Sequence, residues 1–267
     1  MTDQQAKAQK LRSLHEAPGT FIFPNAWDGG SARILEGLGF EALATSSGAA
    51  AGTYGRLDGK ISRDEALAHC RVIVEATDLP VAADLENGFS DSPEGVAETI
   101  RLAAAAGLVG GSIEDYSGAK LYDLEHATER VAAAVAAARA LPFPFTLTAR
   151  CENFLRGNPD LDDTIRRLQA YERAGADVLF APALPDLAAV RAVCSALKKP
   201  VNFMVGIKGK SFSVAELKDA GVKRISLATS LYRAAMTGLI EAAREVKEKG
   251  TFTYLDKLAD INAYLRR

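Results

Sequence analysis

The sequence predicts an α/β chain folded as a (β/α)8 barrel. Eight short apolar runs alternate with amphipathic helical stretches along 267 residues. The runs are apolar on both faces, as parallel strands covered on both sides require. Several helices end at a glycine just before the next run, at Gly39, Gly107, Gly175 and Gly221, which is the punctuation of a helix C-terminus. Eight such units fit the length of one barrel, so residues 1–267 read as a single catalytic domain.

The strand-like runs are Thr20–Asn25, Glu41–Thr45, Pro80–Asp84, Gly111–Glu114, Phe145–Arg150, Asp177–Ala181, Pro200–Val205 and Arg224–Ala228. Between them, Arg63–Ala76, Pro93–Ala106, Glu125–Ala140, Leu161–Ala174 and Asp186–Leu197 carry helical apolar spacing. Ser92-Pro93 reads as an N-cap followed by proline at the first helical position. Two segments lie outside the eight units. Asp3–Glu16 reads as a helix that plugs the barrel floor. Leu255–Leu265 reads as an amphipathic helix, with Leu255, Leu258, Ile261 and Leu265 on one side and a hinge at Gly250–Thr253 before it. The competing architecture is a doubly wound open sheet. It would call for a glycine-rich phosphate turn after a strand, and the chain has no G-x-G-x-x-G.

Composition excludes several functions. A formal net charge of −2 offers no basic field for nucleic acid. No apolar stretch is long enough to span a bilayer, and the N-terminus lacks the pattern of a secretory signal. Cys70, Cys151 and Cys194 are odd in number and far apart, which argues against a disulfide framework or structural zinc and suits a reducing cytoplasm.

Barrel enzymes carry their chemistry at the C-terminal ends of the strands. Those ends deliver Asn25, Trp27 and Asp28; Thr45, Ser46, Ser47 and Gly48; Asp84, Glu86 and Asn87; Glu114 and Asp115; Arg150, Glu152 and Asn153; and Asn202. Asp84 and Glu86 are two apart, so in extended chain they face the same side. With Glu114 on the neighbouring strand they would repel one another without a cation between them. Oxygen donors with no nearby histidine point to magnesium, with manganese as a substitute, rather than zinc. A single strand-end acid is more simply a helix cap; three on adjacent strands favour a metal. The Arg150 fork suits a carboxylate or phosphonate, and also a salt bridge to Glu152 or Glu114. Ser46, Ser47 and Gly48 form a turn whose N–H groups suit an anion. Trp27 fits either the mouth or the core. His15, His69 and His126 fall in helices and read as surface or packing residues. Cys151 has no histidine to activate it and reads as a buried thiol.

The blocks F-P-N-A-W-D (23–28), T-S-S-G (45–48), Asp58 in G-R-L-D-G, A-D-L-E-N-G-F (83–89), S-I-E-D (112–115), T-A-R-C-E-N-F (148–154) and A-G-A-D (174–177) occur in an order and spacing that resemble the phosphoenolpyruvate mutase/isocitrate lyase superfamily over almost the whole chain. The resemblance implies a (β/α)8 barrel whose last helix is exchanged between subunits of a homodimer or homotetramer. It implies Mg2+ bound directly by Asp84, with Asp58, Glu86 and Glu114 acting through waters. Ser46 and neighbouring N–H groups would hold a substrate carboxylate, and Arg150 its charged end. Glu86 stands where many relatives have aspartate.

The departures bear on chemistry. The isocitrate and methylisocitrate lyases carry a lid motif of the K-K/R-C-G-H type after the fourth strand. Here Asp115–Asp123 reads D-Y-S-G-A-K-L-Y-D, without cysteine or histidine, and Pro182 stands where those lyases have a glutamate after the sixth strand. Lys120 matches the lysine of the phosphonate branch, but no asparagine follows it. The expectation is C–C cleavage of a small 2-oxo or 2-hydroxy acid through a pyruvate-type enolate. Glu114 and Arg150 would serve catalysis, Lys120, Tyr116 or Tyr122 would supply a proton, and Trp27, Ser46, Ser47, Gly48, Asp84, Arg150 and Asn202 would contact substrate. The alternatives are P–C chemistry on phosphonopyruvate and a non-catalytic barrel that binds a 2-oxo acid.

Overall fold

The computed structural model describes residues 3–266. Its eight strands are β1 (Phe21–Phe23), β2 (Leu43–Ala44), β3 (Val81–Asp84), β4 (Gly110–Glu114), β5 (Thr146–Arg150), β6 (Val178–Phe180), β7 (Val201–Met204) and β8 (Arg224–Ser226). All pair in parallel, in the order β1-β8-β7-β6-β5-β4-β3-β2. The remaining gap is closed by a parallel bridge between Asn25 and Ala44. There, Ala26 N donates to Ala44 O and Ala44 N to Pro24 O, each at 2.8 Å. The eight apolar runs are these strands, most trimmed by up to two residues at an end, while β4 starts one residue earlier than expected, at Gly110.

Local sequence explains where the helices begin. Ser62 caps α4 (Arg63–Ala76), and Glu65 reaches back to complete a capping box. Ser92 caps α5 (Pro93–Ala105), with proline in the first turn. Asp123, Asp160 and Asp186 cap α6 (Leu124–Arg139), α7 (Leu161–Arg173) and α8 (Leu187–Ala196). At helix exits, Gly107 and Gly175 take left-handed φ values of 91° and 102°, which a side chain would resist. The apolar faces of these helices meet the outer faces of the strands in one continuous core that includes Ile73, Ile100, Val131, Leu147, Leu168 and Val193.

The N-terminal helix α1 (Asp3–Glu16) closes the floor, as expected. Its buried Ala8 and Leu11 pack on Phe23, Ala42, Ala82 and Val109. Gly110 admits this plug: a Cβ there would lie 3.2 Å from Leu11 Cδ2 and 2.8 Å from the Thr146 carbonyl oxygen.

The C-terminal expectation needs correction. Leu255–Leu265 is not one helix. A 3-10 turn spans Thr253–Lys257, and a short helix, α11, spans Asn262–Leu265. Leu255, Leu258 and Ile261 are more than half exposed, so among the described residues little covers the apolar side of a continuous helix there. Tyr264 of α11 instead lies against Gly37 of α2 (Gly29–Gly37). The preceding helix, α10 (Ser230–Lys249), follows β8 yet buries none of its residues, and it ends at left-handed Gly250.

Candidate active site

The C-terminal strand ends open into a cavity of about 660 Å³ lined by Ser46, Ser47, Gly48, Asp58, Asp84, Glu86, Glu114, Arg150 and Asn202, among others. The expected acids, the serine turn and the arginine therefore share one chamber.

Asp84 ends β3 at its centre. Its Oδ2 accepts from Ser47 Oγ at 3.0 Å and its Oδ1 from the Glu86 amide at 3.3 Å. The backbone turns sharply after it, and Glu86 adopts φ 50°, a region non-glycine residues rarely occupy and one that marks functional turns. Glu86 Oε1 is buried without a hydrogen-bond partner. Burial, then the charges of Asp84 and Asp58, push the Glu86 carboxyl up to about 7. Glu114 is pushed up to about 8, chiefly by burial, with Arg150 opposing and Glu152 and Asp84 adding to the rise. Gly48 lets Asp58 approach, since a Cβ there would meet its carboxyl carbon at 3.3 Å.

Arg150 ends β5 among the acids. Its guanidinium lies 2.5 Å from Glu152, 3.5 Å from Glu114 and 3.9 Å from Asp84. The surrounding carboxylates raise its pKa despite burial. Both salt bridges foreseen for Arg150 are thus present. Glu152, fully buried, also pairs with Arg156 Nε at 2.9 Å. Its backbone N–H donates to buried Asp115 at 2.7 Å, and Asp115 is fixed in turn by Tyr171 Oη at 2.6 Å and Arg167 at 3.2 Å. Asp115 therefore holds the arginine cradle from behind rather than facing the cavity.

Three expectations are corrected by geometry. Trp27 is not among the lining residues: its ring meets Tyr232 edge-on at 5.8 Å, and its carbonyl is bound by His69 Nε2 at 2.6 Å. Lys120 is exposed in a turn closed by Ser117 N–H to Lys120 O at 2.9 Å, and the neighbours that line the cavity are Tyr116, Ser117 and Gly118. Tyr122 is buried, its hydroxyl donating to Asp91 and its ring stacked 4.1 Å beneath the Arg130 guanidinium. It is not among the residues that line the cavity. Asn202 does line the cavity, yet it spends its amide on Ser226 at 3.0 Å and Arg224 at 2.8 Å. Cys151 is fully buried, and its thiol is pushed far up by burial.

Sequence reasoning left out Arg156 and Arg224, and gave Glu152 only as a strand-end residue and partner of Arg150. Glu152 and Arg156 sit one helical turn apart, a spacing that allows a pair. An arginine opening an apolar strand was the available signal for Arg224.

The phosphoenolpyruvate phosphomutase family profile matches residues 11–247. The chain belongs to this family. Among solved family structures, a Burkholderia cenocepacia J2315 protein described only at the level of a lyase or mutase is 53% identical. It superposes with a TM-score of 0.96 over 98% of this chain and 97% of its own. The 2-methylisocitrate lyase of Aeropyrum pernix is 30% identical over 261 residues, covering 93% of this chain and 82% of its own. The oxaloacetate decarboxylase of Bradyrhizobium diazoefficiens is 32% identical over 207 residues, 74% of this chain and 70% of its own. The chain is thus an enzyme of the phosphoenolpyruvate mutase/isocitrate lyase superfamily, whose relatives here act on small carboxylic acids. No described helix is long and apolar enough to cross a membrane.

Proposed function

We propose that this enzyme cleaves a C–C bond in a small 2-oxo or 2-hydroxy acid through a pyruvate-type enolate, with Mg2+ held at Asp84. The supporting observation is the convergence of Asp84, Glu86, Glu114 and Arg150 in one cavity, two of the acids having carboxyls pushed up to about 7 and about 8. A divalent cation would offset both the burial of these carboxylates, the main cause of the rise, and their smaller mutual repulsion.

The residues fit such an ion in one way. Among the described residues, no three His, Cys, Asp or Glu side chains come together as a direct ligand set. A hydrated magnesium ion needs only one or two direct carboxylates. Asp84 would serve directly, and Asp58, Glu86 and Glu114 would serve through waters, which would give the orphaned Glu86 Oε1 a partner. When bound, the ion supplies Lewis-acid stabilisation of charge on the substrate's oxo oxygen. Manganese has the same preference for oxygen donors.

The chain does the rest. The Ser46–Gly48 turn offers N–H groups to the substrate carboxylate. Ser47 Oγ, by donating to Asp84 Oδ2, fixes the carboxylate's rotation. Arg150, anchored by Glu152 and 3.9 Å from Asp84, presents its positive charge to the oxo-acid head of the substrate. Of the loop residues, Tyr116 lines the cavity and is placed to return a proton to the enolate carbon; Arg156 stacks 3.9 Å from its ring and orients it. The domain works as one catalytic unit in the cytoplasm, and as a homodimer or homotetramer built on the uncovered α10 and the segment after it.

The family profile favours one rival, P–C chemistry on phosphonopyruvate. A panel of oxaloacetate, 2-methylisocitrate, other 2-hydroxy acids and phosphonopyruvate, assayed with and without magnesium, separates the two. Magnesium-dependent release of carbon dioxide, aldehyde or oxo acid supports the C–C reading. Phosphoenolpyruvate formation or phosphate release from phosphonopyruvate alone replaces it.

A further inference from the structure

The cavity does not stop at the acids. Ordinary barrels fill their interior with bulky branched side chains. Here Ala44, Ala82, Ser112, Thr148 and Ser226 leave the space open, and the cavity continues down to Arg224. Arg224 opens β8 and is only 4% exposed. Its Nε donates to Asn202 Oδ1 at 2.8 Å, one terminal nitrogen donates to Thr148 Oγ1 at 3.0 Å, and the other contacts His15 Nε2 at 3.3 Å. All three hydrogen-bond partners are neutral groups, as is the Phe23 ring 4.9 Å from the guanidinium: His15 already binds the Leu11 carbonyl through Nδ1, and its pKa is depressed to about 3, first by burial and then by the charge of Arg224. No carboxylate pairs with Arg224 among the described residues, in contrast to Arg150 with three. Burial alone lowers the Arg224 pKa to about 9.

A buried cation without a counter-charge costs several kcal/mol, so its retention on a cavity wall calls for an anion. A guanidinium has five N–H donors, and the three protein partners leave two of them free. Thr148 and Arg150 lie two apart on β5 and face the same side, so the Thr148 hydroxyl that Arg224 meets lies roughly 7 Å along the strand from Arg150, which neighbours Asp84 at the head of the site. That is the scale of a short diacid. We propose that Arg224, with Thr148, forms an anion subsite at the base of the cavity that receives the distal carboxylate of a 2-oxo diacid whose oxo-acid head lies at Asp84. The choice of occupant rests on the enolate reading; the subsite itself does not.

The test has two arms. Wild-type crystals soaked in bromide report any anion at Arg224 by anomalous scattering, independent of metal and turnover. Calorimetry with magnesium compares 2-oxoglutarate with 2-oxopentanoate, which has the same carbon chain without the distal carboxylate. The diacid is expected to bind at least tenfold more tightly to wild type. Arg224→Met should remove that preference, and Arg224→Lys should restore part of it. A bromide peak beside an unchanged binding ratio supports the subsite and makes its occupant a free small anion. No peak together with an unchanged ratio overturns the proposal. Should neither acid bind with magnesium, the enolate reading fails, and the bromide arm, which needs no variant to fold, still decides the subsite.

Discussion

Glu152 offers a quantitative test of how the arginine cradle is held. The perturbation is Glu152→Gln, which removes the charge and keeps the shape. Glu152 is fully buried, 2.5 Å from Arg150 Nε and 2.9 Å from Arg156 Nε. Breaking a buried pair by removing one partner typically costs about 3–5 kcal/mol. Here the loss is softened. Arg150 keeps Glu114 at 3.5 Å and Asp84 at 3.9 Å, and the glutamine carbonyl can still accept one hydrogen bond. The expected cost is therefore about 2 kcal/mol, the scale of one charge-assisted hydrogen bond. Urea unfolding of Glu152→Gln in the wild-type and Arg150→Met backgrounds measures it. With Arg150 gone, Glu152 keeps only the half-buried Arg156 as its partner, so the same substitution should cost about 1 kcal/mol or less. A cost that is negligible in wild type, or equal in both backgrounds, would refute the proposed role of Glu152.

Other consequences follow from the floor and the outer surface. His15 is held neutral in the fold, its pKa near 3 against an ordinary 6.5. The unfolded chain then binds more protons between those values, so stability falls as pH drops through 6.5 toward 3. His15→Gln, which keeps an acceptor for Arg224, should flatten that acid limb by about 1–2 kcal/mol between pH 7 and 4.5 in urea titrations; an unchanged limb would contradict it. On α10, Leu239 and Ile240 are 61% and 49% exposed. Leu239→Glu with Ile240→Glu should lower the mass seen in sedimentation to that of the monomer if this helix is a subunit contact, and an unaltered mass would exclude it.

The sequence made the frame legible wherever the signal was local. Ser62 and Glu65 announce α4, Ser92-Pro93 announces α5, and the glycines at helix exits sit in the left-handed region. The strand-end rule placed Asp84, Glu86, Glu114 and Arg150 in one chamber because barrel geometry converts chain position into location. What failed depended on partners distant in the chain. The apolar spacing of Leu255–Leu265 resembles an amphipathic helix, but Leu255, Leu258 and Ile261 stay more than half exposed. Trp27 was undecidable until Tyr232 of α10 appeared beside it. Lys120 follows a strand end as a lid residue would, yet the Ser117 turn carries it to solvent. Arg224 looked like an ordinary strand residue, because its neutral surroundings come from α1, β5 and β7.

The central claim is that the crowded acids exist to hold a divalent cation against an oxo acid. Calorimetric titration of magnesium, with oxalate present as an enolate mimic, into wild type and Asp84→Asn tests it most directly. The account predicts one site per chain in wild type and a loss of at least a hundredfold in affinity in the variant, about 2.7 kcal/mol. Equal magnesium affinity in the two proteins, or none in wild type, would contradict it.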